Sequence, residues 1–485
     1  MASYLLRVEG VNLYNFIQDT LNLNVIRGSG LILLNTVQKI QKSFPYLSSI
    51  STGASIGLFS FDADTPEKAS DIRDEVSKFL TSDNHSKYAT FVVDMQAVDN
   101  TAVEKDNFMC AYEYVISRNR WRQFQQPTVV LPESNSVLGI DTPCDLDNLR
   151  PAVEYSREIK KKVSQSVARR YEYGKNEKQQ FYSRLSGDLV GLEFVHALED
   201  LSSSLDMGNL HHKVAVIYLD GNRFGRIREQ NCRTSGSLYE FDEVLKGYQR
   251  KFLKSIIEDR MLNDAEGYQT KERKLRIETL LWGGDEIMLV VPAWKGWNIL
   301  KAFYGLSSGW NFKDERLTHA GGIVFCHHNA SIHRISKLCK YLAEEAKKHL
   351  PEENAFQYLV LESFDTIGHD LKTFRKKYVP FDYQCTLKGE YMGDMDGIVR
   401  NFVRTFPKNQ IYKAVHAAIA DASDSTAGDI ELSGFSERLK QILPEIDYQY
   451  AENILQKSQH FGKYAGSWIH LAELWDYIPQ KENSL

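Results

Sequence analysis

The chain has 485 residues, 42% hydrophobic and 25% charged, with a net charge of −5. That is an ordinary globular composition with room for about three or four domains. Its acidic balance argues against a protein that holds nucleic acid by bulk positive charge, while a local basic groove stays open.

No run of about 18 apolar residues occurs, so no membrane span is expected. The start, "MASYLLRVEGV", lacks the basic-then-apolar layout of a signal peptide. The six cysteines are scattered and form no CxxC pair, which reads as reduced thiols of a cytoplasmic protein.

In chain order, "SYLLRVEGVNLYNFI" (3–17) opens as a strand and a helical stretch follows at 31–43. "SSISTGASIGLFSF" (48–61) reads as a hairpin with a small-residue turn, followed by a helix ("KASDIRDEVSKFL") and a strand ("YATFVVDM"). Residues 106–205 are polar and rich in Arg, Lys, Gln and Glu, as expected of a mixed linker domain. "KVAVIYLD" (213–220) is a β-branched strand ending in an acid. The next segment, 239–262, places Phe241, Leu245, Tyr248, Phe252 and Ile256 at helical spacing. "KLRIETLLW" and "EIMLVVP" are two strands joined at Gly283–Gly284. A helix ("WNILKAFYGL"), a strand ("THAGGIVFC"), a second helix (331–348) and a closing strand (356–364) complete the unit. Beyond about 365 the pattern is mostly helical, with "DASDSTAGD" (421–429) as a loop.

The expected fold class is α+β. A ferredoxin-like core spans 206–365, with helices covering one face of a mixed sheet. A diverged repeat of it spans 1–105, because "SYLLRVEGVNLYNFI" echoes "VIYLDGNRFGRI". Residues 106–205 link the two, and 366–485 form a C-terminal helical domain.

"LLWGGDEIMLVVP" (280–292) sets two adjacent acids at a turn between apolar runs. A hairpin with solvated charges, a metal site, and half of a nucleotide-polymerising centre all accommodate it. Asp220, at the end of a neighbouring strand, can meet Asp285 and Glu286 at one sheet edge. Like charges repel without a cation. Mg²⁺ or Mn²⁺ prefers oxygen ligands and leaves positions for substrate phosphates, and two such ions lower the pKa of an attacking hydroxyl. Gly283 and Gly284 allow an unusual backbone and a close phosphate. The pairs His211–His212 and His327–His328 read as surface or loop residues, since strand neighbours point to opposite faces. "GHD" (368–370) reads as structural, and Trp282 as core.

These motifs resemble a family. Asp220-Gly221-Asn222, the GGD-acid hairpin and "AGGIVFCHHNASIHRISKLCKYLAEEAKK" are similar to the second palm domain of the large subunit of type III CRISPR effector complexes, a polymerase that makes cyclic oligoadenylates. "IRGSGLILLNTV" (26–37) is similar to its first palm, "CDLDNLRPA" (144–152) to an eroded zinc insert, and "PFDYQCTLKGEYMGDMDGIVRNF" to the start of its helical domain.

The resemblance implies that Asp220, Asp285 and Glu286 are catalytic and bind a Mg²⁺ or Mn²⁺ pair. It implies that Gly221, Asn222, Phe224, Gly283, Gly284 and Lys347 line the nucleotide. The expected enzyme is a nucleotidyltransferase that turns ATP into a cyclic oligoadenylate-type messenger in antiviral defence. Expected partners are ATP, and guide RNA with small RAMP-type subunits; a stand-alone relative would form a homodimer.

The pattern departs in places. Glu286 replaces an Asp, though Glu occurs there in the related GGDEF cyclases. No nuclease domain precedes the first palm, so DNA cleavage is not expected. Only Cys144 is left of the zinc insert, so zinc is not expected. Glu9 and "STGAS" replace the first palm's acids, which implies a structural partner. A silent scaffold in the same complex is the alternative. A GGDEF-type cyclic dinucleotide synthase is the lesser one, because Lys274 to Ile277 do not form its RxxD and Ile287 stands where its Phe would be.

Overall fold

Alternation decides the first sheet. Tyr4, Leu6 and Val8 point one way along β1 (Ala2–Val11), and Leu5 and Arg7 the other. The computed structural model describes residues 2–98, 107–130, 142–187, 191–263, 267–362, 371–378, 384–424, 432–457, 461 and 464–478. The motif at 368–370, residues 425–429 of the expected loop, and the boundaries at 105/106 and 365/366 lie outside them.

After the short α1 (Tyr14–Ile17), the Asn22 side chain accepts the Asn24 and Val25 N–H groups and starts α2 (Leu23–Ser43), earlier than the apolar pattern suggests. β2 (Ser48–Thr52), β3 (Ile56–Ala63), α3 (Pro66–Ser82) and β4 (Thr90–Val98) follow. The strand order β2-β3-β1-β4 is wholly antiparallel, as in a ferredoxin-like split βαβ unit. Tyr4, Leu6 and Val8 pack with Val37, Ile40, Val76 and Leu80 of α2 and α3. The opposite face takes α4 (Asn107–Phe124) through Ala111 and Val115, and Asn119 donates to the Arg7 carbonyl.

The polar stretch is thus packed onto the first unit. A hairpin of β5 (Glu154–Ser156) and β6 (Lys161–Val163) leads into α5 (Gln165–Ser186), which crosses α2. Backbones touch there: a Cβ on Gly28 would lie 1.8 Å from the Arg170 carbonyl oxygen. Cys144 is buried against Val25, Val163 and Val167, and its loop is held by Arg150 bonded to Asp147 and Asp19.

Past α6 (Leu198–Ser202) comes the second sheet. It runs β7 (Lys213–Gly221), α7 (Phe224–Asn231), α8 (Ser235–Ser255), β8 (Glu278–Gly283), β9 (Glu286–Pro292), α9 (Ala293–Ser307), the small hairpin β10 (Asn311–Phe312) and β11 (Glu315–Arg316), β12 (His319–His327), α10 (Ile332–His349) and β13 (Ala355–Val360). Then come α11 (Leu371–Tyr378) and β14 (Leu387–Lys388). The order β14-β13-β12-β7-β9-β8 contains the first sheet's order, extended by two strands.

The expectation that helices cover one face needs correcting. Ile217, Leu219, Leu289 and Phe325 face α8 and α9, while Val216, Met288 and Val324 face α10. The reason is topological. β12 and β13 are parallel, so a crossover is required, and β12 is apolar on both faces. The C-terminal helices α12 (Met392–Thr405), α13 (Lys408–Asp424), α14 (Leu432–Ile442), α15 (Glu445–Lys457) and α16 (Tyr464–Leu474) close over α9, where Asp396 bonds Trp297 and Lys301.

A buried ion cluster joins the parts. Glu278 of β8 bonds Arg27 of α2 (Nε to Oε1, 2.6 Å) and Lys178 of α5 (2.8 Å), all three at most 3% exposed. Burial pushes the Lys178 ammonium down to about 8. Burial would raise the Glu278 carboxyl, but the two cations hold it below its ordinary value.

Candidate active site

β8 and β9 meet in a two-residue turn, with Gly283 paired to Glu286 across it. Gly283 has φ +139° and Gly284 φ +63°. Only the first central residue, Gly284, is positive, and that is the type II′ pattern suited to strand twist. A Cβ on Gly283 would lie 2.8 Å from Ala54, in the β2–β3 turn of the first sheet. The two small-residue turns therefore face each other.

Asp220 pairs across the strands with Glu286, and the Gly221 N–H donates to the Asp285 carbonyl at 3.2 Å. Asp220, Asp285 and Glu286 thus share one sheet edge, all half-buried. α10 lies over it. Lys347 Nζ donates to Asp220 Oδ2 at 2.9 Å and to the Gly221 carbonyl at 2.7 Å. Two turns earlier, Lys340 Nζ is 3.6 Å from Glu286 Oε1, which also accepts the Tyr218 hydroxyl.

The electrostatics follow from this crowding. Burial, and then the Asp220 charge, push the Asp285 carboxyl up to about 6. Asp220 is also raised, first by burial; Lys347 opposes the rise and the Glu286 charge adds to it. Tyr218 is raised by burial and by the Glu286 carboxylate beside it. Among the described residues, no group of three or more His, Cys, Asp or Glu side chains is placed so that it could hold a metal ion.

The remaining expected residues fall in two places. Asn222 is 1% exposed; its N–H donates to the Thr318 carbonyl, and its side chain to Thr318 Oγ1 and the Glu353 carbonyl. Phe224 is 4% exposed, with its ring edge-on to Phe241 and His319. Both shape the β7–α7 turn from beneath. Gly283 and Gly284 border a cavity of about 550 Å³, rimmed by Arg184, Lys246, Arg250, Lys251 and Lys254 and floored by Trp282 and Phe181. That volume lies in the range of small-molecule sites.

Three contacts were not read from the sequence: Tyr218 on Glu286, Lys340 beside it, and Gln249 donating to the Gly284 carbonyl at 2.8 Å. Tyr218 lies two residues before Asp220, hence on its face, and Lys340 seven before Lys347, hence on its helix side. Those spacings were the available signal. The two histidine pairs also meet, because Lys213 pairs with His327. The His212 ring is 5.1 Å from His328 and 6.0 Å from His327. Burial, then His327 and His212, push His328 down.

No protein-family model matches this sequence, and no curated protein matches it. Solved structures do. Csm1 in T. onnurineus superposes with a TM-score of 0.57 at 12% identity, over 99% of this chain and 70% of that one. The Csm1–Csm4 cassette in complex with cA4 gives 0.56 at 11% identity, and the cassette with AMPPNP 0.58 at 13%, with the same coverage. This chain has the Csm1 fold. At these identities the likeness is one of fold, and it agrees with the resemblance read from the GGDE hairpin to a type III CRISPR large subunit.

Proposed function

We propose that the chain is a metal-dependent nucleotidyltransferase with two palm domains. It would join ATP into a cyclic oligoadenylate-type messenger within a CRISPR-type defence. The observation that carries this reading is the meeting of Asp220, Asp285 and Glu286 at one sheet edge beside a glycine turn. The fold is that of a protein crystallised with AMPPNP and with cA4.

The acids fit Mg²⁺ or Mn²⁺. Burial and mutual repulsion lift Asp220 and Asp285, and a cation relieves that strain. Mg²⁺ is commonly held by one or two carboxylates plus substrate phosphates, so an incomplete protein set suits an ion that arrives with its nucleotide. Asp220 and Asp285 would hold it, with Glu286 joining on release from Tyr218. When bound, the metal supplies Lewis-acid activation of the attacking 3′-hydroxyl and neutralises the triphosphate.

The chain's own residues do the rest. Lys347 opposes the upward shift of Asp220 and offers an ammonium to phosphate. Gly283 and Gly284 let the backbone approach the triphosphate. Gly221 and Asn222 fix the turn into α7, whose first N–H groups carry no side-chain cap. Catalysis here is positioning and electrostatics.

The test is product analysis by mass spectrometry after incubation with all four NTPs and Mg²⁺ or Mn²⁺, with and without RNA. Pyrophosphate release from ATP should vanish in the Asp285→Ala, Glu286→Ala double variant while it stays folded. Undiminished turnover there removes the proposal, and a product from GTP in place of ATP moves it to the GGDEF class.

A silent scaffold is the second reading. Tyr218 on Glu286 and Lys347 on Asp220 favour it, since both acids already have partners. It predicts no product and co-purification with guide RNA and a small RAMP-type subunit. The assembly partner proposed in either case is a subunit of the kind Csm4 is to Csm1.

A further inference from the structure

A type II′ glycine turn has no side chain at Gly283 or Gly284 with which to anchor itself, yet it must place the Asp285 carboxylate. The anchors come from α8. Asp242, Lys246 and Gln249 are spaced to share one face of that helix. The Asp242 carboxylate accepts the Ser51 hydroxyl at 3.1 Å and the Thr52 N–H at 3.2 Å. Lys246 donates to Thr52 Oγ1 at 2.7 Å and pairs with Asp242 at 2.5 Å. One turn on, Gln249, 4% exposed, holds the Gly284 carbonyl.

β2 is an edge strand, so its outward N–H groups need partners. Asp242 answers the last of them, just before the turn that seats Ala54 against Gly283. The same helical stripe therefore holds the acid-free turn of the first sheet and the acidic turn of the second.

We infer that Asp242 and Gln249 are positioning residues that make the placement of Asp285 depend on the seat of the first sheet's β2–β3 turn. The first unit, which lacks the acids, then acts on the reaction through α8 and through Ala54. This rests on the proposed nucleotidyltransferase reading. The geometric requirement is severe, because a misplacement of about 1 Å in a reacting constellation costs on the order of 100-fold in rate.

The experiment uses the full chain with ATP and Mn²⁺, and the variants Gln249→Leu, Asp242→Ala and Asp242→Asn. The first two should lower kcat for pyrophosphate release about tenfold or more, with KM for ATP within about twofold of wild type. Asp242→Asn, which keeps one acceptor, should recover part of the loss. A rise in KM at constant kcat would make these residues nucleotide contacts and overturn the assignment, and so would wild-type kcat in both Gln249→Leu and Asp242→Ala.

Amide exchange provides a readout that needs no activity. Asp242 makes no hydrogen bond to the acidic turn, so faster exchange at residues 284–286 in Asp242→Ala supports transmission through α8. Unchanged exchange there refutes it. If wild type makes no product but the exchange result holds, the nucleotidyltransferase reading fails and the coupling stands.

Discussion

Asp285→Asn should make the protein more stable while abolishing the proposed nucleotidyltransferase activity. The substitution keeps the shape of the side chain and removes one charge from a half-buried cluster. The Asp285 carboxyl is lifted from 3.8 to about 6, by burial and then by Asp220. At about 1.4 kcal/mol per pH unit, ionising it in the folded protein costs about 3 kcal/mol. Solvent at this half-buried position reduces that to about 1–2 kcal/mol.

The sign fixes the pH window. An acid with a raised folded value costs stability above that value and nothing below its unfolded value. The advantage of Asn should therefore be full near pH 8 and fade as pH falls through 6 to 4. Thermal unfolding in chelator, monitored by far-UV circular dichroism from pH 4 to 8, measures it; a gain of a few degrees is expected at pH 8. Mn²⁺ with ATP should stabilise wild type and not the variant. A variant no more stable than wild type at pH 8, or a gain independent of pH, would refute the claim that repulsion and burial strain this carboxylate.

Lys347→Met leaves Asp220 half-buried without its ammonium and should cost about 1–2 kcal/mol. Urea midpoints should show most of that recovered in the Asp220→Asn, Lys347→Met pair. Glu278→Gln strands Arg27 and Lys178 in the interior and should cost about 3–5 kcal/mol by urea denaturation, at a site remote from the acids. His319 and His470 are both pushed down to about 3 by burial. An unfolded histidine takes a proton near 6.5, so stability is full above that pH and falls as pH drops, by about 1.4 kcal/mol per unit for each. His319→Phe, within its box of Phe224, Phe303 and Trp310, should flatten the melting-temperature profile between pH 6 and 4.5.

What was legible in the sequence was local. Asp220 ends a β-branched run and Gly283 to Glu286 interrupt two others, so strand and turn chemistry alone put three acids within reach of one edge. Lys347 is marked by the resemblance alone. The misread features depend on tertiary packing. Periodicity does not say that β12 is covered on both faces, because a strand apolar on both sides reads like any buried run. Polar composition does not show that Gly28 and Gly174 let α5 press onto α2. Gln249, Tyr218 and Lys340 are ordinary residues until the fold brings Gly284 and Glu286 to them. Each histidine pair reads as a local feature in the sequence, and the antiparallel register of β7 and β12 sets the two side by side.

The two units differ at the turn that carries the proposed cation site. Both close the same way. The Gly10 N–H donates to the Ser55 carbonyl at 2.8 Å, as the Gly221 N–H does to that of Asp285. This aligns Glu9 with Asp220, Ser55 with Asp285, and Arg7 with Tyr218. In the first unit Arg7 bonds Glu9 from the same strand face, so the one acid is neutralised by a residue fixed in the sheet. In the second, the corresponding residue is a tyrosine that carries no charge and binds Glu286 instead. Asp220 must then be met from outside the sheet, by Lys347 on a long flexible stem from α10. Arg7 and Glu9 belong to one strand, whereas Lys347 reaches Asp220 from another element, so a metal taking Asp220 would displace a cation that the sheet itself does not carry. The difference between arginine and tyrosine two residues before the acid therefore separates a closed pair from an exchangeable one. Tyr218→Arg should test it by reproducing the first unit's closed pair, with weaker Mn²⁺ binding in titration calorimetry and unaltered folding.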